Sequence, residues 1–184
     1  MTREYPDNVA GPHEPPPRSF VDREGRTIDV EDYREDDFEA LVGMYAAFDP
    51  QDRAQGIPPT EESAIREWIE DLTAEECVNV LAWHGEEVVG HAMLVPDRDG
   101  PYELAIFVLR EYQDAGIGTE LMEALLGAGR EAGVELVWLT VERWNSPAIA
   151  LYRKVGFRSS DSGSFELEMA ARLTSEDEEQ ADRT

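Results

Sequence analysis

Cysteine is nearly absent. Cys77 is the only one in 184 residues, so no intrachain disulfide can form and a multi-thiolate metal cluster is excluded. Histidine is scarce as well, and His13, His84 and His91 are too widely spaced for a compact metal motif, so no metal is expected. Lysine is scarcer still: Lys154 stands alone among 16 basic residues, the rest being arginine. No apolar run approaches the ~20 residues that a membrane span needs, and the opening MTREYPDNVA lacks the apolar centre of a signal peptide. A soluble, cytoplasmic protein with one main domain is the expectation, and a chain of this length buries a sizeable core without staples.

Positive charge is also in short supply. Forty-one acidic residues face 16 basic ones, for a formal net charge of −25. Such a surface repels nucleic acid and anionic membranes, so neither is an expected partner. The hydrophobic fraction is 41%, and the acids lie within clearly periodic segments, which argues against disorder. The expectation is a folded protein of halophilic origin, because at ~1 M salt the Debye length is about 3 Å and carboxylate repulsion is screened.

Residues 1–25, with Pro6, Pro12, Pro15, Pro16 and Pro17, predict a flexible proline-rich tail, and 174–184 an acidic one. Between them, residues 26–173 switch period repeatedly. Ile28 and Val30 alternate with polar residues as in a half-buried strand. Phe38, Leu41, Val42, Tyr45 and Phe48 fall at helical spacing, as do Ile65, Trp68, Ile69 and Leu72 after a loop over 49–59. Strands are expected over 78–83, 87–95 and 102–109, then a helix over 116–132. The apolar run 134–141 reads as a strand buried on both faces, with Trp68, Trp83 and Trp138 in the core. A short helix over 146–155 and a strand over 165–169 complete an α+β order with one parallel pair across the long helix.

Two segments carry chemistry. Gln113-Asp114-Ala115-Gly116-Ile117-Gly118 follows a strand and opens a helix. Gly116 and Gly118 let a ligand approach the backbone, and the free N–H groups of a first helical turn suit a pyrophosphate. Neither G-x-x-x-x-G-K-[ST] nor G-x-G-x-x-G fits these residues. About 30 residues on, Asn145-Ser146-Pro147-Ala148-Ile149-Ala150-Leu151-Tyr152-Arg153-Lys154-Val155-Gly156-Phe157 follows the apolar strand.

Together the two segments resemble the signatures of the GNAT superfamily of acetyl-CoA-dependent N-acetyltransferases, over about residues 27–173. The resemblance implies a GNAT fold: a twisted, mainly antiparallel sheet with a splayed parallel central strand pair and flanking helices. It implies acetyl-CoA as cosubstrate, its pantetheine arm against the backbone of Ile106, Phe107 and Val108. Its pyrophosphate is then expected on the amides of Gln113, Asp114, Ala115, Gly116, Ile117, Gly118 and Thr119, with Asn145 bonding the pantetheine. Asp114 and Ala115 depart from the glycine and basic residue of many relatives, so Asp114 is expected to face solvent. Arg143, Arg153 and Lys154 are candidates for the 3′-phosphate.

The implied reaction is direct transfer to a primary amine in a ternary complex. An alkylamine with pKa near 10.4 costs about 4.6 kcal/mol to deprotonate at pH 7, so a base is useful. Glu103 is the candidate, with Glu142 or an ordered water in reserve, and Tyr152 is the candidate acid for the departing thiolate. The acceptor is a protein lysine or N-terminal amine, or else a small-molecule amine; the chain acts as monomer or homodimer. The alternative is a non-catalytic acetyl-CoA-binding sensor, which has no need of Glu103 and Tyr152. His91 reads as a sheet residue, and Trp144 as packing or as part of an acceptor pocket.

Overall fold

The computed structural model describes residues 3–53, 57–160 and 165–175. Most of the expected acidic end, and part of the 49–59 loop, lie outside the described residues. Eight strands form one sheet: β1 (Arg18–Val21), β2 (Thr27–Asp32), β3 (Val78–His84), β4 (Glu87–Pro96), β5 (Tyr102–Val108), β6 (Leu136–Glu142), β7 (Arg158–Ser160) and β8 (Glu166–Arg172). Their order is β1-β2-β3-β4-β5-β6-β8-β7. Every neighbouring pair is antiparallel except β5 and β6, which run parallel because a helical crossover joins them. Among the described residues four α-helices flank the sheet: α1 (Phe38–Ala46), α2 (Glu62–Leu72), α3 (Ile117–Glu131) and α4 (Ser146–Lys154).

Side-chain alternation divides the core in two. Val80, Ala82, Ala92, Leu94 and Leu104 turn to one face, where Leu121, Met122 and Leu125 of α3 cover them. Leu81 and Val88 turn to the other, under Leu41, Met44 and Tyr45 of α1 and Ile65 and Ile69 of α2. The second face is covered only over the β3–β4–β5 half. Along β6, Val137, Leu139 and Val141 are buried against α3, whereas Trp138 is half-buried and Thr140 exposed on the opposite side. The apolar run expected to be buried on both faces is therefore one-sided. Trp138 lies on the open face rather than in the core. Trp68 and Trp83 do pack against the α1–α2 cluster.

The segment expected as a proline-rich tail is packed for most of its length. Val9 bridges to Arg172, Ala10 is buried and donates its N–H to the Arg172 carbonyl (2.7 Å), and β1 extends the sheet beyond β2. His13, Glu14 and Pro15 lie directly on α3 at Gly127. A Cβ there would come within 2.7 Å of their backbone, so only glycine permits the contact. The prolines set an extended path along the domain, and the low density of apolar residues reflects a strap that is anchored by few buried groups. Residues 158–160, too short to show a period, form β7 beside β8.

A buried polar chain crosses the core under α1. The Tyr45 hydroxyl donates to His91 Nδ1 (2.6 Å), His91 Nε2 donates to Asn79 Oδ1 (2.7 Å), and Asn79 Nδ2 donates to the Leu72 carbonyl (2.8 Å). His91 is fully buried, and desolvation lowers its pKa to about 3. It is a structural residue, as expected from its strand position. The unfolded chain takes up this proton near pH 6.5, well before the folded one does. The stability tied to neutral His91 is thus complete above about pH 6.5 and is lost as pH falls toward 3. Relative to His91→Gln, the wild type should lose about 1.4 kcal/mol per pH unit between pH 6 and 4 in urea unfolding. Parallel pH dependences would show that His91 is not held neutral.

The charge imbalance makes a separate prediction about stability. Forty-one acids on one domain repel one another in dilute buffer. Raising KCl from 0.1 to 3 M should raise Tm by roughly 10 °C as that repulsion is screened. A Tm indifferent to KCl would contradict an adaptation to salt.

Candidate active site

The parallel pair is joined for only a short length. β5 meets β4 over all seven of its residues, and β6 meets β8 over all seven of its own. Between β5 and β6 the pairing is confined to Tyr102–Val137 and Glu103–Trp138. Beyond that point the strands diverge, and the C-terminal half of β5 presents an unpaired edge.

Which groups line that edge follows from the ladder. The Leu109 N–H donates to the Val89 carbonyl (2.9 Å), so in the alternating antiparallel pattern Phe107 exchanges both its backbone bonds with His91. Ile106 and Val108 turn theirs the other way, into the gap. Of the three residues expected against a pantetheine arm, Ile106 and the Val108 N–H thus face the gap, while the backbone groups of Phe107 belong to the sheet. The Val108 carbonyl accepts from Gln113 Nε2 (3.0 Å), which fixes the start of the next loop at the mouth of the gap.

That loop is the glycine cradle. Ala115 and Ile117 are buried and anchor it, and Gly116 and Gly118, alternating with them, remain partly open. Gly116, with φ +92°, caps α3 in a left-handed conformation that glycine alone adopts without strain, and nothing lies within 4 Å of where its Cβ would stand. The N–H groups of Gly116, Ile117, Gly118 and Thr119 begin α3 and have no intrahelical acceptor. They form a donor cluster at the positive end of a 15-residue helix, with open space above it, and the residues present fit a diphosphate. Asp114 takes φ +58° and is exposed to solvent.

Two flanking segments hold the loop. The Arg23 N–H donates to the Ala115 carbonyl (3.1 Å) from the β1–β2 turn. Arg110 pairs with Asp49 (3.0 Å) and Asp52 (2.9 Å), and Gln113 Nε2 also reaches Asp52 (3.3 Å), tying the cradle to the connection between α1 and α2.

The second motif delivers α4 to the same place. Asn145 follows β6 and caps α4, its Oδ1 accepting from the Ala148 N–H (3.3 Å), which leaves its Nδ2 as a donor for other partners. Leu151 lies 3.6 Å from the position a Gly118 Cβ would occupy, so α4 runs beside the start of α3. Tyr152, one residue on, is half-buried with its ring 6.1 Å from Phe157, and burial pushes its phenol pKa up to about 12. Among the described residues its hydroxyl makes no hydrogen bond.

Glu103 lies on the other face. Leu104 packs toward α3 and Phe107 toward α1 and α2, so alternation sends Glu103 to the side opposite Tyr152. Its side chain is open to solvent, but the strands behind it still desolvate the carboxyl enough to raise its pKa, with Asp97 raising it further and Arg3 opposing. Glu142, the reserve base, ends β6 on this same face. Trp144, in the turn after it, is 76% exposed. Lys154 and Arg158 line a separate cavity of about 600 Å³ between α4 and the N-terminal strap. Among the described residues no group of three His, Cys, Asp or Glu side chains is arranged to hold a metal ion, and no helix is long and apolar enough to cross a membrane.

Sequence reasoning missed the cluster next to Glu103. Trp138 Nε1 donates to Asp97 (2.9 Å), and Arg3 lies on the Trp138 ring while bonding Glu168 (2.6 Å). The available signal was Thr140, a polar residue alternating with Trp138 and Glu142 along β6, which marks an open face.

Known proteins resemble this chain in sequence and in fold. An N-alpha-acetyltransferase of Sulfurisphaera tokodaii is 46% identical over 56 residues, 30% of this chain and 34% of its own length. A mycothiol acetyltransferase of Propionibacterium freudenreichii is 27% identical over 146 residues, 73% of this chain and 45% of its own length. The chain therefore spans less than half of either relative. The GNAT domain of S. lividans PAT superposes with a TM-score of 0.73 over 85% of this chain and 96% of that domain, at 20% identity, which is a likeness of fold. Residues 38–157, the stretch from α1 through the cradle to the end of the second motif, match the Acetyltransferase (GNAT) family, and the chain belongs to it.

Proposed function

We propose that the protein transfers the acetyl group of acetyl-CoA to a primary amine, directly and within a ternary complex. The observation that carries this reading is the short β5–β6 pairing with the α3 donor cluster at its mouth: one gap with free backbone groups along its edge and a diphosphate seat at its entrance. The pyrophosphate rests on the amides from Gly116 to Thr119, since the Gln113 N–H already donates to the Arg110 carbonyl (3.2 Å), and the pantetheine arm runs along Ile106 and Val108 with Asn145 Nδ2 facing it. Phe107 contributes its ring rather than its backbone.

Tyr152 and Glu103 lie on opposite faces of the sheet, which suits a reaction conducted through the gap. The amine nitrogen attacks the thioester carbonyl carbon, and the tetrahedral oxyanion is stabilised by the Val108 N–H. Collapse breaks the C–S bond. The amine loses its proton to Glu103 through intervening water, since Glu103 and Val108 are five residues apart on one extended strand, and the CoA sulfur receives one from the Tyr152 hydroxyl. The raised pKa of Glu103 improves its match to a base working near neutrality, and the raised pKa of Tyr152 keeps it protonated there.

The acceptor is a protein amine, lysine or N-terminal, in keeping with the N-alpha-acetyltransferase among its relatives; a small-molecule amine, as the mycothiol enzyme suggests, is the second candidate. The test is a screen of peptide and small amines with labelled acetyl-CoA at low and at multimolar KCl. Label on an amine, with one free thiol released per acetyl transferred, supports the reading. Tight acetyl-CoA binding with no transfer to any amine would make the protein a sensor of the cofactor instead.

A further inference from the structure

The open half of the sheet carries a small site beside Glu103 whose other residues the transfer machinery does not use. Its floor is the Trp138 ring, half-buried on β6 and fixed by the Nε1 bond to Asp97 in the β4–β5 turn. Its walls are carboxylates from three separate elements: Asp97, Glu103 on β5 and Glu168 on β8. Glu168 pairs in register with Thr140, two residues from Trp138, so it stands on the same face. These groups are held by the sheet and by one another.

The occupant comes from elsewhere. Arg3, near the start of the chain, lays its guanidinium 3.7 Å from the centre of the Trp138 ring. It donates through Nε to Glu168 (2.6 Å) and pairs with Asp97 (3.7 Å). A flat cation on an indole face, gripped at its edges by carboxylates, is a complete recognition geometry for guanidinium. The strap that delivers Arg3 lies outside the family's matched residues 38–157. Among the described residues Arg3 is set against three carboxylates, Asp97, Glu168 and Glu103, more negative charge than one guanidinium balances.

We propose that the Trp138–Asp97–Glu168 cluster is a cation subsite of the acceptor cleft, that Arg3 occupies it as an internal stand-in, and that the protein's acceptors are basic peptides whose arginine displaces Arg3. The proposal rests on the transferase reading for its location beside Glu103. The peptide's arginine takes the indole face, and the excess charge at Glu103 receives the amine that reacts. An acceptor with one isolated amine leaves the subsite to Arg3 and gains nothing from it.

The test needs neither acetyl-CoA nor turnover, so its failure is distinct from a failure of the transferase reading. Argininamide, and citrullinamide as its uncharged counterpart, are titrated into the full chain at fixed ionic strength while tryptophan fluorescence is followed. Arg3→Ala should bind argininamide about ten-fold more tightly than the wild type, because the competing guanidinium is gone. Citrullinamide should show no saturable signal in either protein. Adding Glu168→Gln to Arg3→Ala should abolish the gain, and adding Trp138→Phe should abolish the signal. Arg3→Met retains the apolar stem and should behave like Arg3→Ala, which keeps the test valid if loss of packing alters the strap. Equal argininamide affinity in wild type and both Arg3 variants would overturn the proposal, as would a response to citrullinamide equal to that of argininamide.

Discussion

Gly118→Val should cost at least about a hundred-fold in acetyl-CoA affinity while leaving the fold intact. Gly118 stands in the first turn of α3, where its N–H and those of its neighbours point away from the helix. The position tolerates a single methyl: a Cβ would stand 3.6 Å from Leu151, an ordinary contact. Valine adds two more carbons beside the donor cluster, where a phosphate oxygen must come within about 3 Å of nitrogen. Displacing the diphosphate removes at least two charge-assisted hydrogen bonds of about 1.5–3 kcal/mol each, which is ~10²–10⁴ in Kd. Gly118→Ala should therefore bind nearly as the wild type does, and thermal melts of both variants should lie close to it. Calorimetry giving an unchanged Kd for Gly118→Val would remove the diphosphate from α3. Gly116→Ala is a different experiment: at φ +92° any side chain costs about 1–2 kcal/mol of backbone strain, so that variant reports on loop shape rather than on space.

Tyr152→Phe should lower kcat by roughly 10 to 10³ with less than about a three-fold change in acetyl-CoA affinity. The substitution keeps the ring against Phe157 and removes only a hydroxyl that has no hydrogen-bond partner among the described residues. Little stability should be lost, because no buried acceptor is orphaned. The loss in kcat is the value of one proton donor that acts in the transition state. A phenol pushed up to about 12 is protonated across the working range, so Tyr152 should impose no falling limb on the pH–rate profile below about pH 10. An unchanged kcat would reduce Tyr152 to packing.

Much of this arrangement was legible in the sequence, because strong local signals coincide with its main parts. Gln113 to Gly118 joins turn chemistry to the start of an amphipathic helix, and Asn145-Ser146-Pro147 couples a capping residue to a proline in the first helical turn. The parallel pair was legible from a long helix between two strands. Other parts depend on contacts distant in sequence. The strap over residues 3–21 buries few apolar groups and is admitted by close approach at Gly127 and Gly156, so its prolines read as a tail. The 134–141 run read as buried on both faces because Trp138 is apolar. Its outer face is covered by Arg3, a charged residue 135 positions away, and no periodicity encodes that contact. Phe107 looked like a backbone partner until the ladder fixed which residues of β5 face the gap.

The central claim is that acetyl-CoA seats itself along the unpaired edge of β5. Residue-resolved amide hydrogen exchange with and without acetyl-CoA tests it most directly, because the ladder already separates β5 amides by direction. The predicted result is that the Ile106 and Val108 amides, together with those from Gly116 to Thr119, slow markedly when acetyl-CoA is added. The Phe107 amide, already bonded within the sheet, should change far less. Slowing confined to residues outside β5 and the start of α3, or no slowing at Ile106 and Val108 under saturating acetyl-CoA, would contradict the account.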